Sequence, residues 1–369
     1  MIFSKQILYI LFIFSVLFFR YSKVNAQNKI KDSLIDQIQR YRSEGEQSVQ
    51  SKNFVDLLNK LAKNYRFRHA DSIKMLSDEA YLIASKINYP KGKAFALLGK
   101  GDFHSDSGLE QKAYKLYEES KELAFSLNFP ELKVDVLKSL AFQDYISQNL
   151  YQAVLRYYEA IDLASKNNLY ELEARLRHNL GYCYSNNKLY DEAQIEYLIA
   201  DSLWNKVKPS NHLKAMTISN IALNSIDKGD LEFGNRYNNK SINLLEGKGD
   251  KLWLSRAFRV KARYFLNKQE FKSAQKWILK SDSLLKIVNN PRDQMEVDIL
   301  SSKILVKLGD FNNAKEYSYK VLEKAQAIKD SFFLIKSYEN LEKIEEFLNH
   351  PDIAYEYYKK KNTNQNTIE

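Results

Sequence analysis

Cysteine is almost missing from this 369-residue chain, where Cys183 stands alone. A single thiol forms no internal disulfide and offers no cysteine cluster for structural zinc. Cys183 falls in the middle of a predicted helix and reads as a small buried hydrophobe. Glycine and proline are scarce as well, at 11 and 5 residues. So few helix breakers suit an all-helical chain, and no glycine-rich phosphate loop is present. The five histidines (His69, His104, His178, His212 and His350) are scattered, without a His-Glu-x-x-His pair. Two Ser-x-x-Lys strings, Ser273 to Lys276 and Ser283 to Lys286, lie on helical phases of one segment and lack the companion motifs that would make them catalytic. Carboxylates fall on exposed helix faces. No enzyme activity, metal or cofactor is expected.

Long apolar runs are also missing after the first residues. Ile7 to Phe19 is an apolar stretch preceded by Lys5 and followed by Val24-Asn25-Ala26, the pattern of an export signal cleaved after Ala26. Arg20 and Lys23 behind the run are unusual for a signal and keep an uncleaved membrane anchor open, although the stretch is short of the roughly 20 residues a span needs. No cysteine sits near the site, so a lipid-anchored form has no support. The expected location is the periplasm or cell envelope. Net charge is +10, and Lys5, Arg20 and Lys23 supply three of those charges, with no acidic residue in 1–26. The remainder reads as lysine enrichment on solvated helix faces, and no nucleic-acid module is visible.

What the chain has is a period. Ile73, Ala113, Ala153, Ala193, Gly234, Ala274, Ala314 and Ala354 follow one another at steps of 40, with one step of 41. Twelve residues before each stand Leu61, Gly101, Ala141, Gly181, Ala222, Ala262, Ser302 and Glu342. Four residues after each come Ser77, Tyr117, Tyr157, Tyr197, Asn238, Ile278, Ser318 and Tyr358. Helices that cross closely need a small side chain where their backbones approach, and a bulky one a turn away fills the space beside it. Glu171 to Asn186 and Tyr190 to Leu203 show two such helices, joined at Asn187-Lys188. Pro90, Pro130, Pro209 and Pro291 mark starts of units, and Gly229-Asp230 and Gly309-Asp310 mark tight turns inside them. The 25 tyrosines and 20 phenylalanines fall mostly on these phases and read as packing.

Leu180-Gly181-x-x-Tyr184, Tyr190-Asp-Glu-Ala193 and Tyr197-x-x-Ala200 together are similar to the tetratricopeptide repeat consensus. Weaker copies cover 53–361. The period exceeds the usual 34 by about six residues, a longer form that resembles the repeats of bacterial extracytoplasmic sensors and regulators. The resemblance implies an all-α, right-handed superhelical solenoid of about eight antiparallel helix pairs. Ser302 and Glu342 depart from the pattern, where glycine or alanine is expected. The expected division is a signal peptide at 1–26, a capping helix at 27–52, the solenoid at 53–361 and a disordered tail at 362–369.

In this repeat type the first helix of each pair lines a concave groove. Leu180 and Ile221 point into the core by phase, so Asn179 and Asn220 face the groove, where their amides both donate and accept. Asparagine here contacts peptide in several tetratricopeptide proteins; a solvated or locally bonded amide is the alternative. A basic stripe runs alongside. Arg175, His178 and Tyr182 share a face, as do Arg256, Arg259 and Arg263, and Lys303 and Lys307 continue it. Arginine suits bidentate capture of carboxylates, so an acidic segment or a C-terminus is the expected ligand, against ordinary surface charge. The expected function is an exported protein-interaction scaffold with no nucleic-acid partner. A ligand-sensing input module, shortened from a membrane sensor, is the alternative. The unpaired apolar edge expected at Ala354, Tyr355 and Tyr358 suggests self-association through the last repeat.

Overall fold

The computed structural model describes residues 26–66, 69–207, 209, 211–288, 290–328 and 330–366. The expected signal peptide lies outside them, apart from Ala26. Among the described residues there are eighteen helices and no strand. No described helix is long and apolar enough to cross a membrane. The chain forms two compact units, Met1–Lys208 and Pro209–Glu369.

The first unit holds α1 (Ala26–Ser43), α2 (Glu46–Val49), α3 (Lys52–Tyr65), α4 (Ala70–Lys86), α5 (Pro90–Asp106), α6 (Glu110–Ser126), α7 (Pro130–Ile146), α8 (Leu150–Lys166), α9 (Tyr170–Asn186) and α10 (Tyr190–Lys206). From α3 onward the helices pair, α3 with α4 through α9 with α10. The segment expected as one capping helix is broken. Gly45 adopts φ +98°, left-handed backbone that a helix does not pass through, and α1 stops just before it. Leu34 and Ile38 of α1 are buried with Phe54 and Leu58 of α3, so α1 covers the open side of the first pair.

The second unit holds α11 (Asn211–Lys228), α12 (Leu231–Leu245), α13 (Lys251–Asn267), α14 (Phe271–Val288), α15 (Pro291–Leu308), α16 (Phe311–Ile328), α17 (Ser331–Phe347) and α18 (Pro351–Asn366), again in successive pairs. Residues 362–366 continue α18 rather than forming the expected disordered tail. Thr363 and Asn364 bond back to the carbonyls of Lys359 and Lys360 one turn earlier.

Seven of the turns inside pairs, from α5–α6 to α17–α18, are built one way in both units. Gly108, Gln148, Lys188, Gly229, Gln269, Gly309 and Asn349 all have positive φ, and they follow the 40-residue period. The next amide reaches back five residues, as in Leu109 N–H to His104 O at 2.9 Å and Asp310 N–H to Leu305 O at 3.0 Å. This left-handed cap satisfies carbonyls at the helix end and reverses the chain. The small residues then let the paired helices close. Ala113, Ala153, Ala193, Ala274 and Ala314 are fully buried. Ser120, Ser241 and Ser281, seven residues on, each donate to a carbonyl 26 residues earlier: Ala94 (2.8 Å), Ala215 (3.3 Å) and Ser255 (2.8 Å).

Candidate functional site

The residues expected to line a site lie on the first helices of the pairs. In the first unit the polar groups of these helices are largely taken up by one another. Asp135 of α7 is buried and bound by Lys63 of α3 and Lys138 of α7, each at 2.6 Å. Burial alone would raise its pKa, but Lys138 and Lys63 outweigh that and hold the carboxyl well below the usual range. Arg66 meets Asp102 at 2.8 Å, and Tyr117 Oη donates to the same carboxylate at 2.8 Å.

On α9, Arg175 is half-buried and bonded to Glu171 at 2.7 Å. Tyr182 is exposed, its ring edge-on to Tyr145. His178 is instead buried, 5.5 Å from the Tyr197 ring. Desolvation, with a smaller push from Arg175, lowers its pKa to about 4, so it is neutral near pH 7. Its register is that of Leu58 and Leu98, both core residues, which places it against the paired helix. The expected stripe on α9 therefore reaches the surface at Arg175 and Tyr182, and not at His178.

Asn179 of the first unit and Asn220 of the second are both half-buried. The same register holds Asn59 and Asn340. Asn59 Nδ2 donates to Gly92 O of the following first helix at 3.0 Å, and Asn340 Nδ2 donates to Ile299 O of the preceding one at 3.3 Å. At those two positions the amide ties neighbouring helices together, which is a structural use of the residue type.

The second unit brings more cations together than carboxylates. Arg256 grips Asp293 with two bonds of 2.7 Å and lies over the Trp253 ring. Arg259 reaches the same carboxylate at 3.5 Å. Arg263 meets Asp227 at 2.8 Å. Lys303 is half-buried, and desolvation lowers its pKa against the pull of Glu339, with Lys336, Arg263 and Lys343 adding to the lowering. Glu339 bonds Lys343 at 3.1 Å and Lys336 at 3.4 Å. Burial opposes its ionisation, yet Lys303, Lys336 and Lys343 bring its pKa to about 2. Lys307 is exposed near the Phe347 ring. The sequence reading missed Lys336 and Lys343. The signal was available, because Arg263, Lys303 and Lys343 stand 40 residues apart on three successive first helices. Six cations (Arg256, Arg259, Arg263, Lys303, Lys336 and Lys343) thus stand against four carboxylates, Asp227, Asp293 and Glu339 with Glu296 at the register of Arg256 and Lys336. Such a surface has cationic capacity left for an anion.

Paired helices, a fixed period and left-handed caps define an all-α, tetratricopeptide-like repeat fold. Solved structures of the same architecture are similar to this chain. The apo quorum sensor NprR from B. thuringiensis has 14% identity and a TM-score of 0.67, with 95% of this chain and 99% of that one covered. A Rap protein complexed with competence and sporulation factor has 12% identity and a TM-score of 0.59, over 92% and 99%. The Rap conjugation gene regulator of plasmid pLS20, in complex with the Phr* peptide, has 14% identity and a TM-score of 0.60, over 93% and 95%. At these identities the likeness is one of fold. No family model and no curated protein matches the sequence.

Proposed function

We propose that this protein is a non-catalytic interaction scaffold whose second unit holds acidic, peptide-like segments on its first-helix face. One observation carries the reading: the cationic excess on α13, α15 and α17, where Lys303 is half-buried among Lys336, Arg263 and Lys343 with Glu339 as counter-charge. A carboxylate brought there relieves like-charge repulsion, and Arg263 offers a planar fork for it. Asn179, Asn220, Arg175, Tyr182 and Lys307 are the further groove residues of this proposal. Two Rap structures with bound peptide or factor support peptide as the ligand class. The chain is proposed to act outside the cytoplasm after cleavage behind Ala26; N-terminal sequencing of the mature protein should then read from Gln27.

A second reading, a ligand-sensing input module for a separate regulator, is favoured by the likeness to a quorum sensor. Both readings share the site. The test is a fluorescein-labelled peptide of alternating Glu and Gly, with free or amidated C-terminus, titrated into full-length protein. Arg263→Glu with Lys343→Glu should weaken binding by about tenfold or more while the helical circular dichroism persists. Equal binding by the variant, or no binding of either peptide by the wild type, removes the acidic-segment reading. The free and amidated forms separate capture of a C-terminus from capture of side-chain carboxylates.

A further inference from the structure

A different surface stands out on the second helices of the first unit. Tyr151, Leu155 and Tyr158 of α8 are exposed, as are Ile195 and Leu198 of α10, with Tyr151 at 75% and Ile195 at 58%. Tyr151, Leu155 and Tyr158 are spaced i, i+4, i+7 and form one ridge. Ile195 and Leu198 repeat the register of Leu155 and Tyr158 one unit later. α8 and α10 are linked at one point, where Tyr158 Oη donates to Glu196 of α10 at 3.2 Å and Arg177 holds the other oxygen of Glu196 at 2.9 Å.

The repeat does not require apolar residues here. The registers of Leu155 and Tyr158 carry Lys115 and Glu118 on α6, and Arg236 and Asn239 on α12. Exposed apolar side chains clustered at one place, where the architecture tolerates charge, mark an interaction surface. Its rim is acidic although the chain is basic. Residues 150–166 and 190–206 hold six carboxylates and three cations. Arg156 is buried against Asp144 and Glu118, and Lys166 is paired with Asp162. Glu159, Asp191 and Glu192 are exposed.

We propose that α8 and α10 form a docking surface for a basic amphipathic helix of a partner protein. The exposed apolar residues of the two helices would receive the apolar stripe of a third helix, read at i, i+3/i+4 and i+7. The acidic rim then meets lysine or arginine on either side of that stripe, and it disfavours an anionic lipid surface. This surface is separate from the cationic face of the second unit and does not depend on it.

The probe is a labelled Leu/Lys amphipathic helix of about 18 residues, compared with a Leu/Glu helix bearing the same apolar stripe, by fluorescence anisotropy with full-length protein. The Lys helix should bind about tenfold tighter or better, and added salt should narrow the gap. Leu155→Ser with Ile195→Ser should weaken it by a similar factor without shifting thermal unfolding, because both side chains are exposed; serine adds no charge that would itself attract the probe. Glu159→Lys with Glu192→Lys should erase the preference for the Lys helix. Equal affinity for the two helices, unchanged binding by the Ser variant, or no binding overturns the proposal. So does a concentration-dependent dimer that the Ser variant abolishes, since a second copy would then be the occupant.

Discussion

Where paired helices cross, three pairs of the first unit set a tyrosine (Tyr117, Tyr157 and Tyr197) against glycine or alanine, with Ser77 in its first pair, whereas the second unit has Asn238, Ile278 and Ser318 at the same register and a tyrosine, Tyr358, in its last pair alone. Tyr117 and Tyr197 lie so close over Gly101 and Gly181 that an added Cβ would sit 2.4 and 2.8 Å from the rings. In the second unit Ser318 bonds Ser302 at 2.8 Å, Asn238 Nδ2 donates to Ala257 O at 3.1 Å, and only Ile278 is aliphatic. Several helix starts differ in the same sense, although Ser51 and Asn149 of the first unit also cap α3 and α8 through their side chains. Leu109, Leu169 and Leu189 occupy the N-caps of α6, α9 and α10 with no side-chain bond. Asp230, Asp250 and Asp330 cap α12, α13 and α17 with a carboxylate on the third following amide. Even the core register of Leu140 and Leu180 holds Lys261 in the second unit, donating to the side-chain oxygens of Asn235 and Asn239. One backbone period is thus closed mainly by ring volume in the first unit and largely by polar side chains in the second. A repeat specifies where backbones approach, and leaves open what fills the gap.

The largest expected effect tests that contrast directly. Tyr197→Ala opens a cavity beside Gly181 and should cost about 3–5 kcal/mol. Ser318→Ala leaves Ser302 its bond to Ala314 O and should cost about 1 kcal/mol. Urea unfolding of the two variants measures both, and equal losses would erase the distinction.

Acid should strain the units in different windows. The folded pKa of His178, about 4, lies below its ordinary 6.5. The unfolded chain therefore takes up that proton more readily, and stability falls as pH drops from 6.5 toward 4. The contribution of Glu339 is lost only as pH falls from 4.5 toward its folded value of about 2. Between pH 6.5 and 4.5 the wild type should lose about 2 kcal/mol more than His178→Gln, in which the titrating ring is gone. Parallel pH profiles for the two proteins would show that burial of His178 places no such load on the first unit.

The period, the pairing and the fold class were legible because close approach of helices restricts residue size at fixed intervals. The turns were legible only in part. Glycine announces a left-handed residue at Gly229 and Gly309, whereas Gln148, Lys188 and Gln269 adopt the same conformation under side chains that do not advertise it. The cationic face was visible at Arg256, Arg259, Arg263 and Lys303, and Glu339 stands two repeats on in the register of Arg259, while Asp227 and Asp293 come from other registers and appear only in three dimensions. His178 was misjudged because i, i+3 spacing gives a shared stripe and not its depth. The same limit applies to Asn179, since Asn59 and Asn340 show that this register also serves helix-to-helix bonding.

Helix caps give a smaller test of the same contrast. Asp250→Ala and Asp330→Ala should each cost about 1 kcal/mol, the usual worth of an N-cap side chain. Leu109→Asp should instead stabilise the first unit by about 0.5 kcal/mol, because Leu109 is largely exposed and an aspartate there supplies the missing acceptor. Thermal unfolding reads all three. If Leu109→Asp destabilises, the exposed leucine contributes packing that its surface area conceals.

The smallest effect concerns what the two units share. Gln148 lies in the first and Gln269 in the second, at φ +61° and +62°. A left-handed conformation costs a side-chain-bearing residue roughly 1–2 kcal/mol, which glycine avoids at an entropic cost of about 0.5–1 kcal/mol. Gln148→Gly and Gln269→Gly should each stabilise by up to about 1 kcal/mol, by similar amounts, and Gly229→Ala should lose a comparable amount. Matching gains would make the left-handed cap the common frame on which crossings diverge. A gain in one unit alone would mean that the turn, like the crossing, has been retuned to its surroundings.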